Sequence, residues 1–459
     1  MNTDQGPPAK FSLNQRDIPN KEVDDIFKLE AAASLMRKSI NECHCNGSSW
    51  LLSTIRQILA EPVPKLEMHG FVFEISEEAA EWNAKIIKEN NYDYEKTIEN
   101  MPNSALTPGS EFRSSAVLEK LLKFREDWTE IKNIFDKGCW YPLENYLDEE
   151  NRLSDIEAMI ARGNHRSTAS NESEKIITKN ILKEVVRSYL VPIPIPFIKR
   201  LKGVQIIPIG LARQFTVDEE GNPKVKHRVT QDLSFTPPSG YSVNTAQIDE
   251  LLAECCYGQC LRRVIHMIVA LRLEHPKLII FIIKYDFDAA YRRLHCHPLH
   301  AIKAIIVFGS LAYILSRLPF GAAAGPSIYS QFSEMIFELT NDIMQDEQWD
   351  PSELNSPYYH DKLHPPERLP EEIEFGEAKP LAVKFPLRER YCDGYIDDSI
   401  VICLDKDNNV EKSQQGLPLV IDTIMRPRTD DETVFREDHI QPIKLKGEGT
   451  PTERRVVLG

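Results

Sequence analysis

The sequence lacks a long hydrophobic run. Its longest apolar stretch, from Ala304 to Leu315, is too short to span a bilayer and is soon followed by Arg317. The first residues, Met-Asn-Thr-Asp-Gln-Gly-Pro-Pro, contain no apolar signal region. We therefore expect an intracellular protein, cytoplasmic or nuclear, without a membrane partner. With 459 residues, of which 42% are hydrophobic, the chain can bury two or three cores.

The cysteines are not spaced as metal ligands. Nine cysteines, an odd number, are typical of free thiols in a reducing compartment. Residues 43–45 (Cys-His-Cys) and 295–297 (His-Cys-His) invite a zinc interpretation, but neither has the spaced ligand pairs of a finger or knuckle. On a strand, their side chains would also alternate between two faces. We expect no zinc, and we predict that Cys255, Cys256 and Cys260 belong to an apolar helical core.

The sequence also lacks an overall excess of positive charge. The formal net charge is −15, whereas binding to phosphates normally needs a basic surface. The charge is unevenly distributed, because residues 171–330 contain 20 Lys and Arg against 13 Asp and Glu. This basic segment is compatible with a cleft for nucleic acid, although the excess is smaller than expected of a processive enzyme.

Two acidic segments accompany β-prone runs. Residues 278–286 are predicted to form a buried strand that ends at Asp286, with Tyr291 five positions later. Asp397 and Asp398 lie between apolar residues, which predicts a hairpin with a divalent metal at its tip. Taken alone, an Asp-Asp pair is more often found in a solvated turn.

A Gly- and Pro-rich turn at residues 318–326 separates the two acidic segments. It opens an amphipathic helix. The apolar positions of that helix are Ile328, Phe332, Met335, Ile336, Leu339 and Ile343. The order is therefore strand acid, glycine turn with helix, and acidic hairpin.

These blocks, in this order, resemble the reverse transcriptases, and those of retrotransposons more closely than those of retroviruses. Residues 284–294 resemble the first acidic motif of that family. Residues 318–321 (Leu-Pro-Phe-Gly) are similar to its Leu-Pro-x-Gly motif, and residues 395–398 (Tyr-Ile-Asp-Asp) to its Tyr-x-Asp-Asp motif. A weaker fourth block, residues 226–235, is similar to the basic fingers segment. The resemblance covers roughly residues 160–459.

The resemblance implies RNA-directed DNA polymerisation with two Mg²⁺ or Mn²⁺ ions. Asp286, Asp397 and Asp398 would be the catalytic carboxylates. Together with the carbonyl of Phe287, they would also be the metal ligands. The implied partners are an RNA or DNA template with its primer, and deoxynucleoside triphosphates.

The resemblance also implies a nucleotide-binding set. Arg228 would grip the triphosphate bidentately, with Lys226 as an auxiliary. Tyr291 would lie under the sugar and exclude ribonucleotides, although an aromatic residue after a buried strand is ordinarily part of the core. Phe320 stands where many retroviral enzymes carry Gln, and with Gly321 it would border the nucleotide.

The predicted fold class is α+β: a right-hand polymerase palm, in which helices back an antiparallel sheet, with fingers. Residues 1–24 are predicted to be a disordered tail, 25–160 a helical accessory region of unknown role, and 161–459 fingers and palm. Helices are predicted at about 25–42, 49–60, 77–98, 112–136 and 174–189, and an extended strand at 191–196.

Two departures from the family leave alternatives open. Residues 345–388, rich in Pro and acids, are predicted to be a surface insertion, and the chain is expected to be truncated before the thumb. A decayed or domesticated relative that binds nucleic acid without synthesis therefore remains an alternative. An RNA-dependent RNA polymerase is a third, although such enzymes usually carry Gly-Asp-Asp and a small or hydrogen-bonding residue in place of Tyr291.

Overall fold

The computed structural model describes most of the chain. The described residues are 49–143, 149–217, 223–238, 240–252, 257–357, 365–368, 387–428, 432–455 and 457. The predicted tail, the predicted helix at 25–42, most of the predicted insertion, and Cys43, Cys45, Cys255 and Cys256 lie outside these ranges.

Along the described chain, α-helices precede the first strand and also lie between and after the strands. The α-helices are α1 Ser49–Ala60, α2 Glu77–Glu89, α3 Tyr94–Glu99, α4 Ser115–Leu122, α5 Trp128–Lys137, α6 Glu149–Arg162, α7 Asn171–Val186, α8 Cys260–Glu274, α9 Pro298–Ala301, α10 Gly325–Gln345, α11 Asn409–Ile424 and α12 Pro442–Glu448. Short 3₁₀ turns lie at Arg166–Thr168, Ile195–Arg200, Asp249–Leu251, Tyr257–Gln259, Ala290–Arg293 and Ile302–Ala304.

The strands form three antiparallel sheets. They are β1 Leu190–Pro194, β2 Ile209–Val217, β3 Pro223–Gln231, β4 Ile280–Asp286, β5 Ile306–Phe308, β6 Leu311–Leu315, β7 Arg390–Tyr395 and β8 Asp398–Leu404. The strand orders are β1–β6–β5, β2–β3 and β4–β8–β7. The chain is thus α+β, as predicted.

One apolar core joins the N-terminal helices to the sheets. The ring of Phe112 stacks on Phe135 with centroids 4.5 Å apart and meets the edge of Phe332 on α10 at 5.1 Å. The backbone N–H of Arg113 donates to the carbonyl of Ile424 at the end of α11. Residues around 112–135 therefore pack directly on the helices that back the β4–β8–β7 sheet.

The prediction of one helix at 77–98 is wrong, because the chain forms two helices there, α2 and α3. Asn91 and Tyr92 adopt positive φ angles of 59° and 60°, which no α-helix accommodates, and the Asp93 side chain then caps α3. The predicted helix at 112–136 is likewise two helices, α4 and α5, separated by residues 123–127. In the first of these segments, Asn90 ends one helix and Asp93 caps the next, and both are polar residues inside an apolar pattern.

The other predicted elements are found close to their expected places. The helix predicted at 174–189 is α7, and its start is fixed by the Ser170 hydroxyl, which accepts from the N–H of Ser173. The extended segment at 191–196 is shorter than predicted, since β1 ends at Pro194 and a 3₁₀ turn follows. Every predicted apolar position of α10 is buried.

Two further expectations concern surfaces. At the start of the predicted surface insertion, exposed and buried residues are mixed: Glu347 and Gln348 are exposed, whereas Trp349 is buried and its indole N–H donates to the carbonyl of Leu354 at 2.8 Å. Among the described residues, no helix is both long enough and apolar enough to cross a membrane.

Candidate active site

The β4–β8–β7 sheet brings the two acidic segments together. In the register of β4 with β8, Asp286 lies opposite Asp398, and in the β7–β8 hairpin Tyr395 also lies opposite Asp398. Facing residues of an antiparallel pair have Cα atoms about 4.5–5.5 Å apart. Ile396 and Asp397 form the two-residue turn, and Ile396 takes a φ of 58°, which is strained for a β-branched residue. The acids therefore occupy one end of this sheet.

A buried ion pair fixes β7 just before the turn. Asp393 receives hydrogen bonds from Arg263 on α8, at 2.5 Å from Nε and 2.7 Å from Nη2. It also accepts from the Tyr391 hydroxyl at 2.7 Å and from the N–H of Gly394 at 2.8 Å. Both charged side chains are buried. Sequence reasoning missed this pair, because the two residues are far apart in the chain.

The carboxylates of the turn repel one another. Burial raises the pKa of Asp397 to about 6, helped by the negative charges of Asp398 and Asp286. The same charge reaches Tyr329 on α10, whose pKa is raised well above its usual value, first by burial and then by Asp397. The site thus concentrates negative charge on three partly buried carboxylates.

Two lysines neutralise part of this charge. Lys444 on α12 lies 2.9 Å from Asp286 Oδ2, and Lys284 on β4 lies 3.1 Å from Asp398 Oδ1. Burial lowers the pKa of Lys444, but the hydrogen bond and charge of Asp286 outweigh this and leave it raised. Neither lysine was predicted to belong to the site.

The position of Lys444 depends on the segment that follows α11. The N–H of Gln441 donates to the carbonyl of Asp286 at 3.0 Å, and Thr452 exchanges two backbone hydrogen bonds with Ile282. The segment therefore runs along the edge of β4 that β8 leaves free, and α12 is brought over the acids. The sequence gives no sign that Lys444 contacts Asp286, because this contact depends on the tertiary pairing of its segment with β4.

The acids offer a suitable donor set for a divalent cation, but the cage is not preformed. Carboxylate oxygens are the ligands that Mg²⁺ prefers, and mutual repulsion of Asp286, Asp397 and Asp398 is what a cation would relieve. Within the described ranges, however, no group of three or more His, Cys, Asp or Glu side chains is gathered so that it could hold a metal ion. A metal would have to draw these carboxylates together and away from Lys284 and Lys444.

Tyr291 is part of an aromatic stack. It is 8% exposed and stacks on Phe320 with centroids 5.2 Å apart and an interplanar angle of 18°. Its other neighbour is Tyr329, also at 5.2 Å. Phe320 is 42% exposed and covers the stack from the solvent side. The ring is therefore packed as a core aromatic.

The Leu318–Gly321 turn packs against the end of β3. Gly321 has a φ of 118°, and a Cβ there would lie 2.3 Å from the carbonyl oxygen of Gln231. Asn244 clamps the turn by donating to the Gly321 carbonyl at 2.8 Å and accepting from the N–H of Ala323 at 2.9 Å. Asn244 was missed from the sequence, since an isolated Asn in a loop is unremarkable.

Three cations of the β2–β3 hairpin lie on one face of β3. Lys224, Lys226 and Arg228 alternate along β3 and are exposed. Burial lowers the pKa of Lys226, and the charges of Arg228 and Lys444 lower it further, while Asp286 opposes them. Lys226 is thus electrostatically coupled to the acidic turn, whereas the structure gives Arg228 no direct contact with it.

The His-Cys-His segment at 295–297 has structural partners. His295 hydrogen-bonds the carbonyl of Ala105 at 3.0 Å, and the Cys296 thiol lies 3.3 Å from the Tyr141 hydroxyl. His297 accepts from the N–H of Leu299 at the start of α9. Cys260 is buried at the start of α8, as predicted.

Comparisons with known proteins add little to this geometry. No family model and no curated protein matches the chain. Among solved structures, the chain is similar to the crystal structure of prototype foamy virus protease-reverse transcriptase, with a TM-score of 0.29 and 13% identity. The match covers 63% of this chain and 25% of that one, so the chain spans about a quarter of the length of this neighbour. A likeness this low carries no argument, and the functional conclusion rests on the site.

Proposed function

We propose that this protein catalyses template-directed DNA synthesis, as an RNA-directed DNA polymerase of the retrotransposon type. The observation that carries the proposal is the register that sets Asp286 opposite Asp398, with Asp397 in the adjoining turn. The raised pKa of Asp397, caused by burial and by the other two carboxylates, is further support. Nucleotide addition needs such a concentration of carboxylates, because it uses divalent ions.

In this proposal, one set of residues holds the metal ions and another binds the triphosphate. Asp286, Asp397, Asp398 and the carbonyl of Phe287 would hold two Mg²⁺ or Mn²⁺ ions, which when bound activate the primer hydroxyl and stabilise the leaving pyrophosphate. The cationic face of β3 would receive the triphosphate, with Arg228 as its main contact. The electrostatic coupling of Lys226 to Asp286 supports a position of that face near the acids.

Sugar selection is assigned to the aromatic stack. Tyr291, covered by Phe320, would present its ring edge beneath the nucleotide sugar and clash with a 2′-hydroxyl. Replacing Tyr291 by Ala should therefore let ribonucleotides in while deoxynucleotide addition continues. Loss of all synthesis without a gain of ribonucleotide incorporation would assign Tyr291 to the core instead.

A second function is favoured by a specific observation. Lys444 and Lys284 already pair with Asp286 and Asp398, and the described acids do not form a preformed metal cage. Such a neutralised site is what a relative that binds nucleic acid without synthesis would carry. The two functions differ in whether bound primer is extended.

Primer extension on poly(rA)/oligo(dT) with Mg²⁺ or Mn²⁺ separates them, with template–primer binding measured on the same preparations. We expect Asp286→Asn and Asp397→Asn to lower incorporation by at least about 100-fold and to leave binding intact. Asp405→Asn is the matched control, because Asp405 follows β8 at the opposite end of the same sheet. Binding without incorporation by the unaltered protein would establish the second function.

A further inference from the structure

We propose that Glu111, in the N-terminal region, is a positioning residue that holds the two arms of the nucleotide site in register. One arm is the segment that carries Tyr291, and the other is the turn that carries Phe320 and Gly321. The inference rests on the proposed function, since it names what orients the residues assigned to nucleotide selection. It also gives the N-terminal region a role.

Glu111 makes three contacts from a buried position. It is 2% exposed, and its Oε2 lies 3.3 Å from Arg293 Nη1 while its Oε1 lies 3.2 Å from Arg317 Nη1. Its Oε2 also lies 3.7 Å from Arg436 Nη2. All three arginines are buried as well. One carboxylate therefore forms ion pairs with three guanidinium groups that have little access to water.

Two of these arginines lie next to the nucleotide site in sequence. Arg293 closes the 3₁₀ turn that begins at Ala290 and includes Tyr291. Arg317 directly precedes the Leu318–Gly321 turn. Each oxygen of Glu111 thus holds one arm, and the ring stack of Tyr291 on Phe320 spans the gap between those arms.

Arg293 and Arg317 also donate hydrogen bonds to backbone carbonyls. Arg293 donates to the carbonyls of Asp288 at 3.0 Å and Asp438 at 2.6 Å, which fixes the chain just after Asp286. Arg317 donates to the carbonyl of Arg292 at 3.4 Å. Side chains that are held through several bonds in a buried network lose their freedom to shift, so the stack they flank is held in one geometry.

Charge accounts for the choice of a carboxylate at position 111. His295 and His439 lie in the same cluster, and burial lowers the pKa of both, so neither adds a further positive charge near neutral pH. Asp288 lies 3.7 Å from Arg293 and 3.8 Å from Arg187. Loss of the Glu111 charge would leave Arg293 and Arg317 without the carboxylate between them, and their mutual repulsion would favour separation of the arms.

The test compares two variants with a control. The variants are Glu111→Gln and the charge-balanced double variant Glu111→Gln, Arg436→Gln, and the control is Glu338→Gln. Glu338 on α10 pairs with Arg125 and also joins the N-terminal region to the helices behind the sheet, but it touches neither arm. If Glu111→Gln does not fold, as judged by circular dichroism, Glu111→Asp replaces it, since it keeps the charge but withdraws the carboxylate by one methylene.

Two readouts are taken. We expect the ratio of deoxynucleotide to ribonucleotide incorporation to fall about tenfold or more in the folded Glu111 variants, with a rise in KM for the nucleotide, and to stay unchanged in Glu338→Gln. Hydrogen exchange should become faster in peptides covering both residues 287–296 and 314–324 in the Glu111 variants alone. A merely structural role would reduce the yield of active protein and leave the ratio as it was.

The outcomes separate this inference from the proposed function. An unchanged ratio and KM in folded Glu111 variants of an active protein would overturn the inference. If the unaltered protein incorporates no nucleotide, the proposed function fails, and hydrogen exchange alone then decides whether Glu111 clamps the two arms. Exchange that rises equally in Glu338→Gln would refute the clamp.

Discussion

Replacing Asp393 by Asn should unfold the acidic hairpin more readily than almost any other single change. The substitution keeps the shape of the side chain, but its one carbonyl oxygen can accept from Tyr391 or from Gly394 and not from both, since these bonds end on different carboxylate oxygens. It also removes the charge that faces Arg263, which is 2% exposed and donates two hydrogen bonds to this carboxylate. The guanidinium would remain buried without its counter-charge.

The expected loss follows from that burial. Breaking a buried ion pair by removing one partner costs about 3–5 kcal/mol, because the remaining charge stays desolvated. An exposed pair costs only about 0–1 kcal/mol. Asp405→Asn provides this comparison, since Asp405 pairs with Arg368, whose side chain is 49% exposed. The two changes are chemically identical and lie on the same hairpin.

Chemical denaturation of both variants, followed by circular dichroism, measures the difference. We expect the free energy of unfolding to fall by about 3–5 kcal/mol for Asp393→Asn and by less than about 1 kcal/mol for Asp405→Asn. A loss below about 1 kcal/mol for Asp393→Asn would refute the reasoning, because Arg263 would then have another way to reach water or a partner.

Three further predictions concern the hairpin and its surroundings. Gly394→Ala should cost about 1–3 kcal/mol of unfolding free energy, because its Cβ would lie 2.0 Å from Phe337 Cε2, and a melting temperature equal to the unaltered protein's would contradict this packing. Burial opposes ionisation of Glu111, but Arg317, Arg436 and Arg293 outweigh it and hold its pKa well below 4.5, so its stabilising contribution is present above pH 4.5 and is lost on acidification. Below about pH 5 the free energy of unfolding should therefore fall more steeply with pH for the unaltered protein than for the Glu111→Gln, Arg436→Gln variant, and parallel stability curves would exclude the effect. Lys444→Met should tighten Mn²⁺ binding roughly fivefold, the equivalent of about 1 kcal/mol for a partly exposed pair, as measured by calorimetry, and weaker binding would show that Lys444 supports the metal site.

Local patterns in the sequence predicted the elements that carry the acids. The apolar run before Asp286 became β4, the turn at 318–321 opened α10, and the apolar residues on both sides of Asp397 and Asp398 became the β7–β8 hairpin. Each of these depends on periodicity or turn chemistry within a few residues.

Long-range contacts could not be predicted in the same way. Glu111 meets Arg293 and Arg317 across about 180 to 200 residues, and Lys444 reaches Asp286 only because its segment pairs beside β4. Buried charges in a single sequence look like ordinary surface charges, since nothing local marks their burial. The N-terminal region therefore gave no sign that it contacts the arms of the site.

Single-nucleotide addition tests the central claim most directly. Poly(rA)/oligo(dT) is incubated with the unaltered protein, Mg²⁺ and one nucleotide at a time, and the primer is analysed by mass spectrometry together with the pyrophosphate released. We predict addition of thymidylate with one pyrophosphate for each nucleotide added, and no addition of deoxycytidylate or uridylate. No extension under these conditions, or addition that ignores the template, would contradict the assignment of Asp286, Asp397 and Asp398 to templated nucleotidyl transfer.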